Sequence, residues 1–350
     1  MDANKKTEKS IKLSAILISL AALIVFYIII IGCLIYFFGL NNNLAKKTAR
    51  VVPYPAAVSA AGFISYNKLE GQLDSARKFY ENQDFSKLGM RVDFSTPDGI
   101  KRLKIKEKNI LNKLIENLVI EAEAKKRGIN LTPDMIDQAV DRKLKEYGTR
   151  DSLRDNMEKL YGWDLEDFKE NIVKPDMYKE ELFNALKKND SSYAEAKDKI
   201  NQAKSDLDGG KSFEETAKKY SEGESAESGG NLGWFSANQM LAEVALAVIN
   251  LEKWQASEII ESPIGYHIVK LTDKKTEDGI TMFQVSQIFI RTKSFAEYLA
   301  EMEKNRKIFI PLRDLKWNSD SGAVEFENSE MRDFEDNLLK NVSDDPSVLF

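Results

Sequence analysis

Between Leu13 and Leu40 the chain carries no charged residue. An apolar run of that length is hard to hide in a water-soluble fold, whereas a bilayer core is crossed by roughly 20 such residues, so it reads as a transmembrane helix. It also exceeds the ~7–15 apolar residues of an ordinary secretory signal. Lys5, Lys6, Lys9 and Lys12 precede the run, and Lys46, Lys47 and Arg50 follow it. The slight excess of cations on the N-terminal side favours a cytoplasmic N-terminus and an extracytoplasmic body.

Ile30-Ile31-Gly32-Cys33 has the form of a bacterial lipoprotein processing site. The apolar run nevertheless continues through Leu34, Ile35, Tyr36, Phe37 and Phe38, where a processed chain would turn polar. The expectation is therefore an uncleaved anchor. Cys33 is the one cysteine, which excludes an intrachain disulfide and a cysteine zinc site. With 51 Lys+Arg against 56 Asp+Glu the net charge is −5, which argues against a dedicated nucleic-acid binder. At 350 residues the chain is long enough for two or three units.

After a polar linker at 41–56, Ala57 to Tyr66 reads as two short strands about a turn at Ala61-Gly62. Helix signals then dominate. Ser65 caps a helix to Asn82, and residues 83–95 are loop-like. Thr96-Pro97 opens a helix to Arg127, with a stripe that includes Ile100, Leu103, Leu111, Leu114, Ile115, Leu118 and Val119. Thr132-Pro133 opens another to Tyr147, stopped by Gly148, and a further one spans 151–161. Asp164 caps a last long helix to Lys188, which Pro175 is expected to kink. Residues 57–190 thus form a helical unit entered through a hairpin. Its apolar stripes make a bundle core or a surface for other polypeptides.

Ser192 with Glu195 starts a helix from Tyr193 to Asp208, and Ser212 with Glu215 the next. The segment from Tyr220 to Phe235, Tyr-Ser-Glu-Gly-Glu-Ser-Ala-Glu-Ser-Gly-Gly-Asn-Leu-Gly-Trp-Phe, reads as a helix end, a glycine-rich turn and a strand. Ser236 with Gln239 opens a helix carrying Met240, Val244, Ala247 and Val248. From Pro263 to Leu271 alternation puts Ile264, Tyr266 and Ile268 on one face and His267, Val269 and Leu271 on the other. A lone histidine on such a face is commonly a satisfied core residue. The glycines lack the Gly-Lys-Ser/Thr of a phosphate loop, and Glu222, Glu224 and Glu227 lack the alternation of a calcium loop.

These motifs, in this order over residues 212–271, resemble the parvulin type of peptidyl-prolyl isomerase. The strand-turn-strand-helix opening and helix order of 57–190 resemble, less sharply, the N-terminal chaperone region of the SurA and PrsA foldases. The resemblance implies an α+β chain: an N-terminal transmembrane helix, an all-helical SurA-N-like domain, then a small antiparallel sheet with helices. It implies a substrate floor at Leu232, Met240 and Val244, where valine replaces the usual phenylalanine, beside Trp234 and Phe235. His267 is the retained histidine, Ser262 stands at a usual threonine, Gln287 at the second histidine and Gly223 at a usual cysteine or aspartate. Such a site uses no cofactor or metal.

The family's central first strand has no room before residue 191. The best later strand, 282–291, resembles it, which implies a circularly permuted domain over 191–310. A helix is expected at 294–307, a hairpin about Asp320-Ser321-Gly322 and an amphipathic helix at 329–341 within a C-terminal tail of 311–350. With residues 1–12 cytoplasmic and 13–40 in the membrane, the expected function is a membrane-anchored extracytoplasmic foldase. It would isomerise X-Pro bonds of unfolded or proline-containing exported polypeptides and bind no nucleic acid. The rival is a holdase that keeps the groove and has lost turnover, because Gln287, Gly223 and Val244 all touch the site. A structural membrane-assembly subunit is more distant.

Overall fold

A computed structural model describes residues 3–39, 43–82, 93–147, 149–277, 279–304 and 306–340. The expected stop at Gly148, most of the 83–95 loop and the end of the tail lie outside them. The chain divides into two compact units, residues 1–180 with 302–350, and residues 181–301.

The first unit opens with α1 (Ala3–Phe38), whose stretch Ser14–Phe38 is long and apolar enough to cross a membrane. The expected linker is not a bare spacer. It contains α2 (Asn43–Ala49), and Ala45, Ala49 and Tyr54 are buried. Two alanines four apart on a short helix give it a packing face, which a reading by polarity alone overlooks. The hairpin follows as β1 (Pro55–Ser59) and β2 (Gly62–Ser65), and Ser65 Oγ accepts the Lys68 amide to start α3 (Tyr66–Asn82). Thr96 caps α4 (Pro97–Lys126), which buries Leu111, Leu114, Ile115, Val119 and Ile120 and leaves Ile100 exposed.

Helices α5 (Pro133–Tyr147) and α6 (Arg150–Tyr161) come next. The single helix expected after Asp164 is broken into α7 (Leu165–Phe168), a π-helical turn at Lys169–Val173, and α8 (Lys174–Asn189). Pro175 is the reason. It has no N–H for the carbonyl of Asn171, so the ladder shifts and the Lys174 amide bonds five residues back to Lys169.

In the second unit α9 (Ser191–Asp208) is capped by Asp190, which accepts the Ser192 amide, rather than by Ser192. After α10 (Phe213–Tyr220) come β3 (Asn231–Ser236), α11 (Ala242–Ile249), β4 (Ile260–Ser262), β5 (Gly265–Glu277), β6 (Ile280–Arg291) and α12 (Phe295–Glu303). The Ser236–Gln239 capping box forms, but it closes only a 3₁₀ turn. Met240 is extended and α11 begins two residues later, so Met240 lies before the helix rather than on it.

The sheet order is β3-β6-β5-β4, all antiparallel. The strand that comes last in sequence thus lies inside the sheet. One face packs Tyr266, Ile268, Ile288 and Ile290 under α9 and α10. The other packs Val269, Leu271, Phe283 and Val285 under α11. Ile264, expected beside Tyr266, sits exposed in the β4–β5 turn. Gly230 (φ +83°) lets the glycine-rich turn touch β6: a Cβ there would stand 2.5 Å from the Gln287 carbonyl oxygen.

The chain then re-enters the first unit, so residues 302–310, expected in the second, pack with the first. The helix expected to 307 ends at Glu303, and β7 (Ile308–Phe309) pairs with β1, giving the order β2-β1-β7. The expected hairpin forms as β8 (Leu315–Asn318) and β9 (Ala323–Phe326), followed by α13 (Ser329–Lys340). This segment is integral, not appended. Leu315, Val324 and Phe326 are buried, the Val324 amide donates to Asn112 Oδ1 at 2.7 Å, and Arg306 pairs with Glu123 at 2.7 Å.

Candidate functional site

The polar heart of the second unit follows from strand register. His267 on β5 faces Ile260 of β4 and Phe289 of β6, while Gln287 faces Val269. In an antiparallel pair these positions share one face, so His267 and Gln287 are diagonal neighbours on the α11 side. Ser262, near the end of β4, reaches the same face.

His267 is only 2% exposed, and its ring stacks on Phe289 at 4.8 Å between centroids. Nε2 lies 2.7 Å from Ser262 Oγ, and Nδ1 lies 3.2 Å from Gln287 Oε1. A neutral imidazole carries one N–H. With Gln287 offering its carbonyl oxygen, that hydrogen is on Nδ1, and the single Ser262 hydroxyl hydrogen is divided between His267 Nε2 and the Gly265 carbonyl oxygen, 3.1 Å away. The Ile264 amide in turn donates to Ser262 Oγ at 3.3 Å. Burial holds the His267 pKa below its ordinary value, and the Gln287 bond and the charge of Glu243 oppose this without reversing it. The ring is therefore neutral at pH 7 and fixed at both nitrogens.

Beside it lies an apolar floor. Val244 is buried against Val248, Val269, Leu271, Phe283 and Val285, and Met240 and Phe235 pack onto this cluster from half-buried positions. Gly233 pairs with Val285 on the same face, with φ +87° and no atom within 4 Å of where a Cβ would stand. The space over Gly233 on that face is open.

The register places the remaining candidates less centrally. Leu232 occupies the irregularity between Asn231 and Gly233 and is exposed. Trp234 pairs with Gln284, on the opposite sheet face from Phe235, where Lys275 Nζ stands 4.6 Å from its ring centre. Gly223 contributes no side chain. A Cβ there would meet Phe289 Cβ and Ser221 Oγ at 3.7 Å, an ordinary contact.

Phe289 is the residue sequence reasoning passed over. Two positions beyond Gln287 in an alternating strand, it had to share the histidine face. Residues 221–222 clamp its backbone: Ser221 Oγ accepts the Phe289 amide at 3.0 Å, and the Glu222 amide donates to the Phe289 carbonyl at 2.7 Å. Burial pushes the Glu222 carboxyl up, but Lys199 and the Arg291 amide hold it below its ordinary value.

Residues 15–189 match the family model of the SurA-like N-terminal domain, and residues 181–273 match that of the PPIC-type PPIase domain. The second match stops short of β6, the strand that closes the sheet from the C-terminal side. Foldase protein PrsA 1 of Bacillus cereus is 48% identical over 77 residues, 22% of this chain and 27% of that protein. Foldase protein PrsA of Geobacillus kaustophilus is 33% identical over 184 residues, 48% of this chain and 63% of that protein. Chaperone SurA of Nitrosospira multiformis is 36% identical over 88 residues, 25% of this chain and 20% of that protein. The chain thus spans less than two thirds of the length of these relatives.

Proposed function

The chain belongs to the family with a SurA-like N-terminal domain and carries a PPIC-type PPIase domain, and on that premise we propose that it is a membrane-anchored foldase that turns X-Pro bonds in exported polypeptides. In this reading α1 spans the membrane with residues 1–12 in the cytoplasm and both units outside. Relatives named as foldases and a chaperone point to polypeptide clients, with unfolded and proline-containing exported chains as the finer assignment.

The observation that carries the proposal is the closed Ser262–His267–Gln287 cluster beside an apolar cluster, onto which half-buried Met240 and Phe235 pack, on one sheet face. The reaction has no bond to break. Its barrier of ~18–20 kcal/mol is the loss of amide resonance. A planar amide is more charge-separated than a twisted one, so an apolar floor that strips water from the proline ring and carbonyl favours the twisted state. The neutral cluster supplies fixed dipoles without introducing a charge.

Gly223 and Gln287 favour a second reading, a holdase that binds the same segments without turnover. The two separate in one experiment with the full chain in lipid nanodiscs. The foldase accelerates refolding of a protein whose slow phase is prolyl isomerisation, at protein concentrations well below those of its substrate. A holdase suppresses aggregation only near stoichiometric amounts and leaves the slow phase unchanged.

A further inference from the structure

The last turns of α1 are packed against the first unit rather than standing clear of it. Ile31 and Ile35 are buried, Tyr36 donates to the Pro55 carbonyl at 3.0 Å, and Tyr54 donates to the Ile28 carbonyl at 2.7 Å. Phe37 and Phe38, by contrast, are exposed. A bilayer core takes roughly 20 residues, so a span entered at Ser14 reaches the far headgroup layer near Cys33. The docked turns from Ile35 onward then lie at headgroup level, where tyrosines such as Tyr36 and Tyr54 collect.

A cavity of about 350 Å³, the size of a small-molecule site, opens at this end of α1. Ile35, Phe38, Leu73, Ile100, Leu103 and Leu312 give it an apolar wall. Six charged side chains also line it, three of each sign: Glu70, Glu107, Asp314, Arg77, Lys104 and Arg313. Two of the carboxylates are engaged. Lys104 holds Glu107 at 2.7 Å, and Glu70 bonds Tyr66 and stands 3.5 Å from Lys46, which also pairs with Asp74. Asp314 is exposed. Neither arginine has a carboxylate partner among the described residues. Arg313 Nη1 donates to the Phe37 carbonyl at 3.3 Å, on the last turn of α1. Arg77 Nε is shut off from solvent and has no acceptor. A buried N–H without an acceptor is costly, so an anionic oxygen is favoured beside it.

We propose that this cavity binds the phosphodiester headgroup of an anionic membrane phospholipid, with Arg77 and Arg313 on the phosphate oxygens. Planar guanidinium forks suit phosphate oxygens, and two arginines against one exposed carboxylate suit a singly charged anion. The apolar wall takes the first methylenes of the lipid chains, which run on past exposed Phe37 and Phe38 into the bilayer. Basic pockets beside membrane helices hold lipid headgroups in this way. The inference rests on the membrane-anchored reading of α1. It adds a second, lipid-specific tie between the first unit and the membrane.

The test titrates the full chain, in dodecyl maltoside micelles, with dioleoyl phosphatidylglycerol or dioleoyl phosphatidylcholine and counts retained lipid by native mass spectrometry. One phosphatidylglycerol should be held roughly tenfold or more tightly than phosphatidylcholine. Arg77→Gln is expected to weaken it by roughly tenfold or more, while Arg77→Lys, which keeps the charge but not the fork, stays within about fivefold. Arg313→Gln should repeat the loss, so the outcome does not hang on the folding of one variant. Arg154→Gln, at an exposed cation outside the cavity, should leave retention within about twofold. Equal retention of the two lipids, or unchanged retention in both glutamine variants of the cavity, overturns the site. An equal loss in Arg154→Gln overturns it as a general charge effect. Displacement by soluble glycerophosphoglycerol at matched concentration overturns the lipid in favour of a free phosphodiester. Vesicle flotation of the full chain tests the parent reading separately. A chain that floats without preferring phosphatidylglycerol loses the site and keeps the anchor, and one that does not float loses both.

Discussion

Removing one oxygen atom from the candidate site has a calculable effect. In Ser262→Ala the hydroxyl that shares its hydrogen between His267 Nε2 at 2.7 Å and the Gly265 carbonyl oxygen at 3.1 Å disappears. The Ile264 amide also loses Oγ, but Ile264 lies exposed in a turn and water replaces the oxygen. His267, at 2% exposure, has no such recourse, so a buried acceptor is left unsatisfied at a cost of about 1–3 kcal/mol. Gln287→Ala removes a longer contact, 3.2 Å, from a half-buried side chain, and costs about 0.5–1.5 kcal/mol. Hydrogen exchange of β5 and β6 amides, read by mass spectrometry in the full chain, reports these differences locally. Since each ~1.4 kcal/mol is tenfold, Ser262→Ala should speed core exchange by roughly five- to a hundredfold and Gln287→Ala by roughly two- to tenfold. Unchanged exchange in Ser262→Ala, or a larger effect from Gln287→Ala, would refute the hydrogen-bond pattern derived for the cluster.

Three further outcomes follow from the same geometry. The His267 pKa lies below its unfolded value because of burial, so below about pH 6.5 the unfolded chain takes up a proton that the folded one refuses. Stability of the second unit is then flat above that pH and falls on acidification, whereas Glu303 in the first unit, pushed up to about 7 by burial and by Glu116, is stabilising on acidification from pH 7 towards 4.5. Exchange measured across pH 5–8 should show the two trends with opposite sign, β5–β6 loosening as the first-unit amides around Glu303 and Glu116 tighten. Gly223→Asp has room, its Cβ meeting neighbours at 3.7 Å, and should raise prolyl turnover while changing core exchange by less than about threefold. Val244→Phe adds volume to a closed cluster and should cost about 1–3 kcal/mol in the β5–β6 amides.

Much of this architecture is written in local signals. Caps at Ser65, Thr96 and Ser212, the alternation of residues 265–271 and the strand at 282–291 each depend on neighbours a few residues away, and each forms as read. The polar site was legible only through the family resemblance, since local pattern alone makes His267 a core residue; a tight turn joins Ser262 to it and strand pairing brings Gln287 alongside. Non-local packing explains what escaped. Nothing near Leu315 or Phe326 announces that they pack with a helix two hundred residues earlier, so the C-terminal segment read as a tail. The burial of Ala45 and Ala49 is likewise invisible in a polar sequence. Met240 shows the reverse case: a correct capping box closed a single 3₁₀ turn, because Met240 is extended immediately after it. Trp234 was grouped with Phe235 by adjacency, whereas strand alternation sends them to opposite faces.

The central claim is turnover at the Met240–Val244 floor next to His267. Magnetisation-transfer NMR on a panel of X-Pro peptides, with acidic, apolar and basic residues before proline, measures cis/trans exchange directly at catalytic amounts of the full chain. Acceleration of at least one peptide, lost in Met240→Ala while the β5–β6 amides stay protected, is the result this account predicts. Exchange at the uncatalysed rate for every peptide, with the same peptides bound, would contradict it and leave a holdase.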